Sequence, residues 1–452
     1  MIDTTSNSTT NPKSSNVVEK SRNRHFKTIE MTYRSNIVSD YTEKIEELDK
    51  NFKYRDNSNH YWSQPEHSLL YGTPIYEAAS SSQKIALNHL HWFTKYNYTA
   101  ETETETVAFN QITSSVFRAI GGYETICQEL DLETRQEYSH IHAFRKMGLM
   151  TATALIGKKP LQNLQKSHSY KSSLGHDSWA TSQYYALRFL AQNMLKSKKA
   201  YYSSYLARLE EQEKFVVTTP TKGILGRGIP VSCQGFFTFN WGGGSPFLAC
   251  QYYAARMMGN ILLKGMEYPL VKYFRKLEKQ GEFIPTPTAV SYYHHLDEAY
   301  HTTMSRIISK DMYKDFSQPT AYEKFIANMS IYMVQQASFS GLSGVFPHRY
   351  LKDDCFLMTF IYELLQSPLF KMSQKEALHW IYQCFCCEHE GFHLAIKNHH
   401  HLLSNFRHFF YDFDYLWSVN REMRLMALGG NIDRAIRNNI KTFKQFSRLA
   451  VC

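Results

Sequence analysis

His294, Glu298 and His301 stand at i, i+4 and i+7 in the stretch from Tyr292 to Thr303. On a helix of 3.6 residues per turn they fall within roughly 60° of one another, so two imidazoles and a carboxylate share one stripe. A second Glu-x-x-His pair, Glu137 with His140, offers the same ligand types at i and i+3. Carboxylates are hard ligands that can bridge two cations, imidazoles suit iron, and a shell of both without thiolate favours the ferric state formed when O2 is reduced. Two further pairs, Glu376 with His379 and Glu390 with His393, are 14 residues apart in what reads as one helix. At roughly 21 Å along the axis they are too distant to share a dimetal site. Ser373 and Glu376 also fit a capping box, which gives Glu376 a local role.

Four long helices are needed to position such ligands. The first is expected to begin after Ser80, Ser81 and Ser82, to run to about Ala119, and to stop at Gly121 and Gly122. It carries Glu101, Glu103 and Glu105. Ile85, His89, Trp92, Tyr96, Ala100 and Val107 fall within about 60° of Glu103, which makes Glu103 the preferred ligand and Glu105 the next, against a charged solvent face for all three. The second helix, from near Asp131, holds Glu137 and His140, with His142 pointing elsewhere. Ser245 and Pro246 open a third helix to about Lys279, which contains Glu267, and Thr286 and Pro287 open a fourth to about Lys310.

The remainder of the chain divides around these helices. Residues 1–25 read as a disordered polar tail and 26–82 as an N-terminal segment packing on the helices. A long insertion at about 157–244 looks helical from Ser178 to Glu213, then alternates from Phe215 to Gly244 like a hairpin or lid. Gly223, Gly226 and Gly228 lack the dinucleotide-binding spacing. Residues 311–452 form a helical C-terminal extension, where His399, His400 and His401 read as a surface run because neighbours on a helix diverge. The eight cysteines lack regular spacing and read as reduced thiols, those at 384, 386 and 387 buried on an amphipathic helix. A net charge of +10 is spread over short clusters such as Lys20 to Lys27, which solvated helix faces explain, so no nucleic-acid partner is expected. No window reaches the length of a membrane span and the N-terminus has no apolar run, which points to a cytoplasmic protein with no membrane partner.

In chain order the four helices offer Glu, Glu-x-x-His, Glu, and His-x-x-x-Glu-x-x-His, the ferritin-like di-iron pattern with one extra His. With that extra His294, and 27 residues from Glu267 to His294, the stretch from about 85 to 310 resembles the p-aminobenzoate N-oxygenase (AurF-like) family. The resemblance implies an all-α fold, a ferritin-like four-helix bundle at 83–310 holding two iron ions, with manganese able to take one position. It implies Glu137, His140, Glu267, His294, Glu298 and His301 as ligands, with Glu103 or Glu105 as the seventh. Glu137 and Glu298 would bridge; Glu267 and the Glu of the first helix would be terminal. Asp297 and Asp131 are candidates to support the ligands.

The activity implied is that of an O2-dependent di-iron oxidoreductase converting a small aryl amine to its N-oxygenated products. A separate electron-donor protein is expected because no flavin or nicotinamide motif is present, and a homodimer is compatible with the pattern. Alternatives on the same centre are a hydroxylase or desaturase of an acyl or carrier-bound substrate, or a non-catalytic iron-binding or ferroxidase bundle. The long insertion and the C-terminal extension depart from the resemblance.

Overall fold

The computed structural model describes residues 12–159, 161–162, 203–212, 243–348 and 352–451, with positions 186, 189 and 193. Most of the expected helix at 178–213, the glycines at 223–228 and nearly all of the expected hairpin or lid at 215–244 lie outside the described residues. Those described are helices and their connections, with no strand among them. None of the described helices is long and apolar enough to cross a membrane.

Six helices surround the residues of interest: α1 (Pro12–Val38), α2 (Thr42–Asn51), α3 (Ser81–Ile120), α4 (Glu124–Leu155), α5 (Pro246–Gln280) and α6 (Thr286–Lys310). Ser80 starts α3 through a capping box: its hydroxyl accepts the Gln83 N–H, and the Gln83 side chain accepts the Ser80 N–H. Gly121 and Gly122, both at φ near +80, turn the chain into α4 at a conformation that disfavours any side chain. Ser245 and Pro246 start α5 as their types require, and Gly281 ends it in the left-handed region at φ +64. The hairpins α3–α4 and α5–α6 are each closely packed and meet through α3 with α5 and α4 with α6. α4 starts at Glu124, a full turn and more before the expected Asp131, because its first turns pack Ile126, Cys127 and Leu130 into the core.

α1 begins at Pro12, so the boundary expected near residue 25 falls inside a helix. His25, Ile29, Thr32 and Asn36, at i, i+4, i+7 and i+11, form the buried stripe that seats it on α4 and α6. Polar residues at three of these four positions hide the amphipathicity from a hydropathy reading.

The C-terminal region adds α7 (Ala321–Phe339), α8 (Cys355–Gln366), α9 (Gln374–Cys386), α10 (Glu390–Phe410) and α11 (Ile432–Val451). Ile331 and Phe339 of α7 and Leu402 and Phe406 of α10 share one core with Met257 of α5 and Met304 of α6. A second core joins α8, α9 and α11 to Leu69, Leu70, Leu87 and Phe93. The single helix expected through Glu376 and His393 is two. Cys387 is extended after α9, and in the first turn of α10 Gly391 donates its N–H to the Gly72 carbonyl at 3.0 Å, an approach that a Cβ on Gly72 would block.

Candidate metal centre

Glu103 of α3, His140 of α4, and His294 and Glu298 of α6 each offer one ligand atom, all within 4.8 Å of one another. Glu133 and Glu137 of α4 with His301 of α6 form a second such group. α4 presents Glu133, Glu137 and His140 at i, i+4 and i+7, the spacing of His294, Glu298 and His301 on α6. The order is reversed between the two helices: the His140 and His294 rings are 4.6 Å apart at one end, while Glu133 meets His301 at the other. The groups adjoin. His301 Nδ1 lies 2.9 Å from Glu298 and 3.4 Å from Glu137, and Glu137 Oε2 lies 3.5 Å from His140 Nδ1, so each central carboxylate reaches both groups.

Among the alternatives on α3, Glu103 is the one in the cluster, 3.0 Å from His294 Nε2. Glu101 is paired with Arg145 at 3.3 Å, and Glu105 is partly buried and belongs to neither group. Glu267 also belongs to neither. Its Oε1 stands behind His294, 2.8 Å from Nδ1, and accepts the Tyr96 hydroxyl at 2.6 Å. Sequence reasoning missed Glu133 and the buried Arg256 of α5, which donates to Glu133 and, at 3.0 Å, to Glu137. The repeated i, i+4, i+7 spacing on α4 was the available signal for Glu133; nothing local marked Arg256.

Each imidazole is held by an oxygen on one nitrogen and turns the other toward carboxylates. His140 Nε2 lies 3.2 Å from Asp297, itself fixed by the Tyr41 N–H, and His301 Nε2 lies 2.9 Å from Gln136 Oε1. Gln136 is gripped by Asn36 of α1, whose amide also donates to Glu129. Asp131, the other candidate for a supporting role, instead pairs with Arg118 at the surface, because it lies two residues from Glu133 and so on the opposite side of α4.

The three imidazoles and Glu103, Glu137 and Glu298 are withdrawn from solvent, and burial acts first on each of these six. Against it, Asp297 and Glu137 raise His140 to about 9, and the surrounding carboxylates hold His294 and His301 well above the usual imidazole range. Burial and the charge of Glu137 push Glu103 up to about 7, whereas the imidazoles and, for Glu137, Arg256 hold Glu137 and Glu298 below the usual carboxylate range. Glu103 Oε2, Glu133 Oε2, Glu137 Oε2 and His140 Nδ1 are buried with no hydrogen-bond partner. Four unsatisfied ligand atoms in one small volume are costly to a protein unless a cation collects them.

A cavity of about 870 Å³ lies between α5, α6 and α10, and none of the seven residues of the two groups lines it. His295, 3.5 Å from Glu267 Oε2, is in its lining; Met257, Ile261, Leu402 and Phe409 supply apolar wall, and Lys264, Arg306 and Lys310 supply positive charge.

Fold and site together define a helical protein with two adjoining, buried groups of His and Glu side chains that could hold metal ions. The family model of CylC-like acyl halogenases matches residues 24–447, and the chain belongs to that family. This corrects the resemblance to p-aminobenzoate N-oxygenases, and the N-oxygenation of an aryl amine falls with it. Acyl hydroxylation or desaturation and an iron-binding or ferroxidase role gain no support. The ligand pattern that carried the resemblance specifies coordination and not the group transferred, and the match takes in both the long insertion and the C-terminal region in which the chain departs from the resemblance. No curated protein and no solved structure matches the chain.

Proposed function

We propose that this chain halogenates an acyl substrate at a ferritin-like centre of two metal ions. One ion would be held by Glu103, His140, His294 and Glu298, the other by Glu133, Glu137 and His301, with Glu137 and Glu298 bridging. The observation that carries the reading is the shared design of the three imidazoles. His140 and His301 would bind through Nδ1 with Nε2–H on Asp297 and Gln136, and His294 through Nε2 with Nδ1–H on Glu267, the arrangement that fixes tautomer and ring orientation in metal sites. Two irons, or iron with manganese, would supply the oxidising power drawn from O2 that breaking an unactivated acyl C–H bond demands.

The overall change balances as one C–H bond, a halide, O2, two electrons and three protons giving a C–halogen bond and two waters. The electrons call for a separate donor, since the chain carries no flavin or nicotinamide motif. The apolar wall of the cavity suits an acyl chain, and Lys264, Arg306 and Lys310 suit an anionic head group or carrier. His295, in the cavity lining beside Glu267, would separate the cavity from the Glu267 side.

The test is mass spectrometry of acyl thioesters incubated with iron-loaded protein, O2, a reductant and chloride or bromide. The expected product gains one halogen in place of one hydrogen and is lost with His301→Ala. A hydroxylated or unchanged acyl chain under every halide would overturn the reading.

A further inference from the structure

Glu267 is the inner end of a line of oxidisable rings. Its Oε1 accepts the Tyr96 hydroxyl at 2.6 Å. The Tyr96 ring is 4.7 Å from Trp92, Trp92 is 5.7 Å from Trp62, and Trp62 is 6.1 Å from Tyr54. Tyr96, Trp92 and Trp62 are buried, and Tyr54 is half-buried at the protein surface.

Buried tyrosines and tryptophans in any core find hydrogen-bond partners; what marks this line is how the partners are sorted. Both tyrosines donate to a base and both tryptophans to a neutral oxygen. Trp92 Nε1 donates to Ser291 Oγ at 2.9 Å and Trp62 Nε1 to the Asn57 carbonyl at 3.0 Å. The Tyr54 hydroxyl lies 3.1 Å from His89 Nδ1, and His89 Nε2 lies 2.7 Å from the His60 carbonyl. That second contact requires an N–H on Nε2, which leaves Nδ1 to accept. Burial, which holds His89 down to about 4, keeps the ring neutral. A phenol releases its proton when it loses an electron, whereas an indole can carry the charge briefly, so proton acceptors stand where the chemistry needs them.

We propose that Tyr96, Trp92, Trp62 and Tyr54 form a hole-transfer route that carries an oxidising equivalent from the Glu267 side of the centre to the surface when no substrate consumes it. The route rests on the dimetal reading for the origin of that equivalent. Tyr96 gives up one electron inward and its proton to Glu267. Trp92 refills Tyr96, which recovers its proton; Trp62 refills Trp92; Tyr54 refills Trp62 and passes its proton to His89. A thiol in solution then reduces Tyr54, which retakes the proton from His89, while the thiol becomes a thiyl radical and releases its own proton to water.

The test uses the full chain in chelator, so it does not depend on metal binding or on halogenation. A ruthenium photo-oxidant is attached at Tyr54→Cys, and flash-induced radicals are followed by transient absorption and freeze-quench electron paramagnetic resonance. Unsubstituted protein treated with the same label corrects for native thiols. A tryptophan radical that converts to a tyrosyl radical is expected. Tyr96→Phe should abolish the tyrosyl signal, and Trp92→Phe should slow its appearance by more than an order of magnitude. If labelling at Tyr54 unfolds the chain by circular dichroism, Lys53→Cys is the second injection point, with Trp62→Phe as the block. A tyrosyl radical of unchanged yield and rate in these variants, or none beyond the label, would overturn the proposal.

Discussion

The two ligand groups are made from the same residue types, yet of their carboxylates only Glu133 and Glu137 are, among the described residues, paired with a permanent cation. Glu103 and Glu298 face the imidazoles of His140 and His294, whose charge a metal ion could replace. Glu133 and Glu137 instead hold Arg256, which no accessible pH deprotonates. A cation entering the second group therefore competes with a guanidinium already hydrogen-bonded to both acidic residues. The lesson is that helical spacing supplies ligands in pairs, while a residue from a third helix decides how each pair is used. The first group should fill first and hold its ion more tightly.

Removing shared ligands should have the largest effect on this inequality. Glu298→Ala, which takes a carboxylate from both groups, should bring metal content down toward none, whereas His294→Ala should empty the first group alone. Elemental analysis after anaerobic iron loading distinguishes them, and wild-type content in both variants would break the comparison. Arg256→Met sharpens it from the other side. Glu133 and Glu137 lose their buried partner, so the metal-free protein should lose about 3–5 kcal/mol of stability, read as a lower melting temperature. Added iron(II) should restore more stability to this variant than to the parent, because the second group no longer competes with a guanidinium.

Smaller effects should follow from the residues behind the imidazoles. Asp297→Asn should weaken only the first ion and Gln136→Leu only the second, each by about 10–100-fold, measurable by competition with a chelator. Equal weakening of both ions by either substitution would show that the two groups act as one.

Much of this centre was legible because helix periodicity is a strong signal and the caps are local. Ser80 and Ser245 cap helices where their chemistry predicts, whereas α6 starts at Thr286 with Pro285 before it and no side-chain cap, and the stripe on α6 needed nothing but counting. The preference for Glu103 over Glu105 came from the apolar face it shares with Trp92 and Tyr96, and the structure puts Glu103 beside His294. Residues that act through tertiary contact were not legible. Arg256 looks like any cation in a helix, and Asn36 sits in a segment whose buried stripe is polar. The expected helix breaks at Cys387 to His389, ahead of the place where Gly72 meets Gly391 of α10. The reaction was illegible for a different reason, since one coordination pattern serves several oxidations.

Anomalous diffraction at the iron edge, from crystals grown with iron(II) under anaerobic conditions, tests the central claim most directly. Two peaks per chain are expected, a stronger one enclosed by Glu103, His140, His294 and Glu298 and a weaker one between Glu133, Glu137 and His301. No peak inside these groups, with Arg256 and the imidazoles still holding the carboxylates, would contradict it.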